Sequence, residues 1–421
     1  MSYLDLKKKI TVLILSLIIP FLIWGPFVPD LIVSLSSLVF LGYVFKERLF
    51  FYFTKKPVLI FFIFCLYCIF VTFFVSKDRL LSFESSLFYF RIGVFSCFIW
   101  YLIEQDKKIL QYFYYALVLC FVALVIDGYI QYFVGENILG FSKWENNRIS
   151  SFFGDELIMG SYLSRLFPLL FALFLIKEKK RFETYFIGLL FILIDVLIYM
   201  SGERTAFFYL NLSTLFIIVL INRYQKFRLL TFIIAFALIG TLTVTNDKLK
   251  TRMIIKPATN MGFIKSDQEK YIFTKVHDSH IKTAFNMFLD KPVFGHGPKM
   301  FRVICKDEKY AAGVKPCSTH PHNFYFQLLA ETGMIGFLFL FSALLYVIYC
   351  ALRQLKTIIF KEQRYLTDYQ VCLLACLLIT VWPLSPNGNF FNNWLMICYS
   401  LPVGFYLHSI YGKNRKEVLK E

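Results

Sequence analysis

Apolar positions dominate this chain in long runs, and the polar positions fall between them. Twelve runs can be marked: 10–28, 31–45, 57–75, 84–103, 109–134, 157–176, 183–200, 205–221, 227–244, 329–351, 368–384 and 390–409. Each has a length that can cross a ~30 Å hydrocarbon layer as a helix, the second being short. One polar stretch, 245–322, is far longer than the others. Inside it, Ile281, Ala284, Phe285, Phe288 and Leu289 recur at helical spacing, which predicts an amphipathic helix stopped by Pro292. Gly295-His296-Gly297-Pro298 then reads as a turn. The pattern predicts an all-α polytopic membrane protein of about twelve transmembrane helices with one long loop. Spans one to nine occupy 1–244, the loop and lid 245–322, and spans ten to twelve with a tail 323–421.

Composition agrees. Hydrophobic residues make up 58% of the chain and charged residues only 17%, where a soluble domain carries about a quarter charged. The net charge of +17 does not point to nucleic acid, because the charges are segregated. More than half of the 45 Lys and Arg residues lie at the N-terminus, after even-numbered spans and in the tail, from Lys7–Lys9 to Lys413–Lys420. The short loops of opposite parity hold only Lys77, Arg79, Lys143, Arg148 and Arg204. That asymmetry predicts cytoplasmic termini and an external 245–322 loop. The first run has no small-x-small site behind Trp24-Gly25-Pro26 and reads as an uncleaved span. Of ten cysteines, only Cys305 and Cys317 fall in the loop. They can pair if that side is oxidising, and otherwise stand as two free thiols.

Charges inside spans mark function by default. Arg91, Asp127, Arg165 and Asp195 all fall roughly 8–12 Å below the external face at 1.5 Å per residue. One outward polar cavity is expected, or alternatively two Arg–Asp pairs that staple helices.

Three motifs stand in order: "SGERTAFF" with Arg204, "DKPVFGHGP", and "HNFYFQLLAETGMIG" with His322, Asn323, Gly333 and Gly336. On these, over roughly 150–410, the chain resembles the O-antigen ligase-related family, which includes O-antigen, capsule and teichuronic acid polymerases. The resemblance implies a bacterial inner-membrane glycosyltransferase with its site facing the periplasm. It implies a glycan donor on undecaprenyl pyrophosphate. The acceptor is lipid A core for a ligase, or another lipid-linked glycan for a polymerase. Two departures stand out: Phe208 replaces a leucine of the family pattern, and His277 and His280, with Lys275 and Lys282 near, stand where the family has a second arginine.

The chemistry is consistent with that likeness. A departing pyrophosphate needs fixed positive charge, and arginine binds phosphate oxygens in pairs. Arg204 at the membrane boundary, with Arg91 and Arg165 beneath it, is expected to supply that charge. No Asp-x-Asp occurs, so a metal-independent reaction without a cofactor is expected. Thr319 or His320 can cap a helix with Pro321 in its first turn. His322 would then share that turn, where the helix dipole favours neutral imidazole able to take a proton from an acceptor hydroxyl. His320, His280 and Asn323 are further substrate-binding candidates, and Trp144 and Trp382 could stack on sugars. Gly333 and Gly336 read as close helix–helix packing. A lipid-linked glycan flippase is the rival class; it shares the span count but would show two related halves, and none is visible.

Overall fold

The computed structural model describes residues 15–144, 147–176, 179–264 and 270–414. Lys7–Lys9, the start of the first apolar run, Lys265 and the tail beyond Asn414 lie outside them. Among the described residues the fold is helical, without strands beyond two isolated bridges, Glu136 to Ser142 and Trp144 to Arg148. In chain order the main helices are α1 (Ile18–Trp24), α2 (Phe27–Lys46), α3 (Lys56–Phe74), α4 (Arg79–Ser86), α5 (Phe90–Gln105), α6 (Lys108–Val134), α7 (Met159–Leu175), α8 (Arg181–Met200), α9 (Arg204–Leu220), α10 (Gln225–Thr245), α11 (Lys275–Asp290), α12 (Phe324–Ile359), α13 (Asp368–Val381) and α14 (Asn393–Tyr411).

Among the described residues, seven helices are long and apolar enough to cross a membrane, counting α4 and α5 as one. Helices α7, α9 and α13 are apolar but only 10–17 residues long. The described parts of the runs marked in the sequence become helices, and seven of these helices meet both the length and the hydropathy of a crossing. Short helices belong to the centre: every residue of α7 except Ser161 is buried, as expected for a helix apolar on all sides. It packs against α9 and α13. At the periphery, α10 buries only Arg228, Thr231, Ala235 and Ile239. Its Leu230 and Ile233, with Ile63 and Leu66 of α3 and Leu345 and Leu352 of α12, form an exposed apolar wall suited to lipid. Helix starts follow their capping residues. Thr367 and Gln370 form a reciprocal capping box on α13, and the Asp78 side chain accepts from Leu81 N–H at α4.

The described parts of 245–322 are folded, not a tether. A helical stretch at 247–260 includes a π-turn at Thr251–Ile255. Helix α11 follows and ends at Asp290, just ahead of Pro292. Its buried face is not the stripe marked in the sequence. Ser279, His280, Thr283, Ala284 and Met287 are buried, while Phe285 and Leu289 are exposed. Polar partners explain the rotation: Ser279 accepts from Lys315 N–H at 3.1 Å and Thr283 from Ala312 N–H at 3.1 Å. Cys305 and Cys317 are joined in a disulfide.

Gly333 does not serve helix–helix packing as expected. Gly333 has φ 64° and ψ −164° and breaks α12. The break leaves the Ala330 and Glu331 carbonyls without their i+4 donors. The turn after α11 supplies replacements: His296 N–H donates to Ala330 C=O at 3.0 Å and Gly297 N–H to Glu331 C=O at 2.7 Å. In return Met334 N–H donates to Pro292 C=O at 2.8 Å. A Cβ on Gly333 would collide with the Val293 carbonyl, and one on Gly295 with the 331–333 backbone. The second and third sequence motifs are therefore one joint. Gly333→Ala should cost roughly 1–3 kcal/mol from the dihedral alone. The expected readout is a lowered Tm in detergent with faster trypsin cleavage between Lys275 and Lys315. Unchanged values for both would show that the joint does not hold the lid.

Candidate functional site

Four histidines meet where α11 faces the segment entering α12. Thr274 caps α11 by accepting from His277 N–H at 3.2 Å, and the helix then presents His277 and His280 on one face. From the other side come His320 and His322. The His322 ring lies 4.2 Å from that of His320, 5.2 Å from His277 and 5.3 Å from His280, centre to centre. The disulfide at Cys317 anchors the root of this segment.

His322 is not in the first turn of a helix. Asn323 is the cap of α12, its side-chain oxygen accepting from Tyr325 and Phe326 N–H. Its amide nitrogen donates to Pro383 C=O at 2.8 Å. Asparagine caps better than histidine or threonine, so the helix starts one residue beyond His322. Asn323 is buried and its polar atoms are spent on this framework. His322 itself takes φ 57°, a left-handed conformation that histidine adopts more readily than most residues and that clusters at functional sites. Its carbonyl accepts from Asn387 N–H at 2.8 Å and its Nε2 lies 3.3 Å from Ser318 Oγ.

Burial, first of all, lowers the His322 pKa to about 3, with the neighbouring imidazoles adding to it. Burial likewise brings His320 down to about 4; a backbone contact with Asn387 opposes, and the Arg302 charge lowers it further. His277 and His280 are also lowered, mainly by burial, and the Arg204 charge contributes at His277. Neutral imidazole, expected from the helix dipole, therefore arises from desolvation.

Arg204 is half-buried at the first position of α9, and among the described residues it has no hydrogen bond or ion pair. Arg148 and Arg252 approach it. Burial, then the Arg148 and Arg204 charges, bring Arg252 down to about 10, against the pull of Glu203. Arg252 Nε donates to Gly202 C=O at 2.9 Å. The nearby carboxylate, Glu203, is already bonded to Gly160 and Ser161 N–H at 2.6 and 3.0 Å. Burial raises its pKa to about 7 even so. Arg148 and Arg252 thus face one carboxylate that burial pushes toward neutrality, and Arg204 stands beside them. Such an arrangement attracts an anion.

The intramembrane charges do not form one cavity. Arg91 lies apart from the histidines and pairs with Asp30 at 2.5 Å. Asp195 pairs with Arg228 of α10 at 2.9 Å, a residue counted with a cytoplasmic loop from sequence. Asp127 accepts from Ile138 N–H and Ser151 Oγ at 2.9 and 2.6 Å. Only Arg165 reaches toward the site, and indirectly. Its Nε donates to the Tyr399 hydroxyl at 3.1 Å and it stacks over Tyr209, 5.1 Å away. Tyr209 in turn bonds Ser385 and Asn387, the loop that supports the His322 carbonyl. Sequence reasoning missed Arg148, Arg252 and Arg302, which carry no local motif. Among the described residues no group of three His, Cys, Asp or Glu side chains has the geometry to hold a metal.

With this geometry in view, the comparison with known families is direct. Residues 186–341 match the family described as O-Antigen ligase. That stretch of the chain is O-antigen ligase-related. The match takes in Arg204, Arg252, Arg302 and all four histidines of the cluster. No curated protein matches the chain.

The histidine environment has a direct test. Diethyl pyrocarbonate modifies neutral imidazole. A depressed pKa keeps that form present as pH falls, so modification of His322 should stay level from about pH 8 to about pH 5. Peptide mass spectrometry would read it. A decline centred near the ordinary histidine value of about 6.5 would overturn the desolvated cluster.

Proposed function

We propose that this O-antigen ligase-related chain transfers a glycan from undecaprenyl pyrophosphate to an acceptor hydroxyl at the external face of the bacterial inner membrane, without metal. The reading rests on one observation. Three arginines with a single nearby carboxylate and a neutral histidine meet in one cluster, linked where the Arg204 charge acts on His277 and the His277 ring approaches His322.

In this reading the pyrophosphate lies against Arg204, Arg148 and Arg252. The acceptor oxygen attacks the anomeric carbon, and the bond from that carbon to the pyrophosphate oxygen breaks. The hydroxyl proton passes to His322. The leaving undecaprenyl pyrophosphate gains negative charge, which the guanidiniums stabilise more strongly than the ground state. Ser318, beside Nε2, orients the ring. His280 and His320 keep it dry, and a dry imidazole stays unprotonated until the acceptor arrives. Arg165 acts through Tyr209 and the 382–392 loop, and Asn323 through the cap of α12; Arg91 has no part. The lipid A core is the acceptor in the ligase reading. Incubation with lipid-linked repeat alone decides between readings, since chain growth there indicates a polymerase.

Arg204→Ala removes a charge-assisted contact worth roughly 1.5–3 kcal/mol, so transfer should fall at least ~10-fold. Arg204→Lys should recover part of the loss. His322→Ala should leave donor binding nearly intact while transfer falls by ~10²–10⁴. If it abolishes donor binding instead, His322 is a phosphate ligand. Normal transfer by both folded variants would end the catalytic reading.

Orientation is tested separately. Cysteine at Lys179 should react with an impermeant thiol reagent only from the cytoplasm, and cysteine at Glu308 only from outside. The opposite pattern would put the site on the wrong side for this chemistry.

A further inference from the structure

Arg302 lies at this end of the molecule, and the proposed reaction leaves it unused. It lies in the single helical turn Phe301–Ile304, between two fixed points. Phe301 N–H donates to the buried Glu331 carboxylate at 3.2 Å, and Cys305 carries the disulfide. The Phe301 ring meets His280, 6.5 Å between centres, so the turn lies against the histidine cluster. Arg302 is half-buried, its Nε is sealed from solvent without a partner, and the guanidinium has no ion pair among the described residues. The buried Glu331 carboxylate is within electrostatic reach of Arg302 but forms no ion pair with it: its two oxygens accept from Phe301 N–H and from Gln327 Nε2. A buried Nε–H without an acceptor is costly, and a ligand that supplies one to the guanidinium edge removes that cost.

Arg204 and Arg302 approach His322 through different neighbours. The Arg204 charge acts on His277 and the Arg302 charge on His320. The donor pyrophosphate is assigned to the first. We propose that Arg302 binds an oxyanion, phosphate or carboxylate, carried by the acceptor glycan, so that the site selects acceptors bearing a negative charge beside the reacting hydroxyl. A planar fork matches either oxyanion with paired hydrogen bonds. The hydroxyl of an acceptor held in this way is presented to His322 next to His320. The assignment rests on the transfer reading above only in calling the ligand an acceptor.

The test varies acceptor at fixed donor, using lipid A core, the same core dephosphorylated with hydrofluoric acid, and the core with its carboxylates reduced. With Arg302→Gln, KM for the intact acceptor should rise about tenfold or more, while KM for the donor stays within about twofold. Arg302→Lys should restore part of it. The acceptor lacking the recognised group should bind wild type and Arg302→Gln alike, and which treatment produces that equality tells phosphate from carboxylate. An equal loss for all three acceptors would make Arg302 a support for His320 and overturn the inference. So would a rise in donor KM, which would assign Arg302 to the pyrophosphate. If wild type transfers nothing, the transfer reading fails. The inference is then decided by calorimetry of wild type and Arg302→Gln with intact and dephosphorylated core: a charge-dependent affinity lost in the variant keeps it, equal affinities end it.

Discussion

Everything at the functional end depends on backbone groups that a broken helix leaves open. At Gly333 the α12 ladder stops inside an apolar bundle, where an unpaired carbonyl or amide has no water to turn to. The turn at 292–297 takes up the Ala330 and Glu331 carbonyls and the Met334 amide, and Tyr67 of α3 donates to the Thr332 carbonyl at 2.7 Å. Glycine is required on both sides because the two backbones touch. The lid is therefore tied to the membrane bundle by main-chain bonds, which do not depend on the side chains chosen at the joint. That rigid seat carries α11 with His277 and His280, and the turn with Arg302. A site that must hold its groups to within fractions of an ångström needs such a support.

The helices were legible because apolar runs are local. Each run from α2 to α14 appears close to where hydropathy put it. Partners were not legible, because they are set by helix rotation and by chain far away in sequence. Arg91, Asp127, Arg165 and Asp195 share a depth, but depth is one coordinate of three. Rotation about each axis sent Arg91 to Asp30, Asp195 to Arg228 and Asp127 to its own following loop. The α11 stripe misled for a related reason. Hydropathy marks the face that avoids water, and the lid buries Ser279, Thr283 and His280 against polar backbone instead.

The motif around His322 was legible, but its helix cap was placed at Thr319 or His320 and lies at Asn323, and that shift changes the physics. With Asn323 as cap, His322 stands outside the helix and its ring is turned into the cluster by a left-handed backbone. The motif therefore encodes a geometry: asparagine stops the helix, histidine precedes it at positive φ, and Gly333, ten residues past Asn323, breaks the helix so the lid can dock. Arg148, Arg252 and Arg302 had no comparable signal, since each is one basic residue in an ordinary loop or turn.

The charge distribution follows from what the site has to wait for. Arg148, Arg204 and Arg252 repel one another, and such an arrangement lowers stability unless an anion joins them. Glu203 cannot fill that place, because the N-terminus of α7 already holds both its oxygens. It instead ties the turn before Arg204 to the start of the helix carrying Arg165. Protonation of Glu203 as pH falls through about 7 removes the one negative charge facing the guanidiniums and increases their pull on an anion. The same step weakens its hold on the Gly160 and Ser161 amides, since a neutral carboxyl accepts less strongly than a carboxylate. Anion affinity and the fit of α7 beneath Arg204 thus move in opposite directions through one residue.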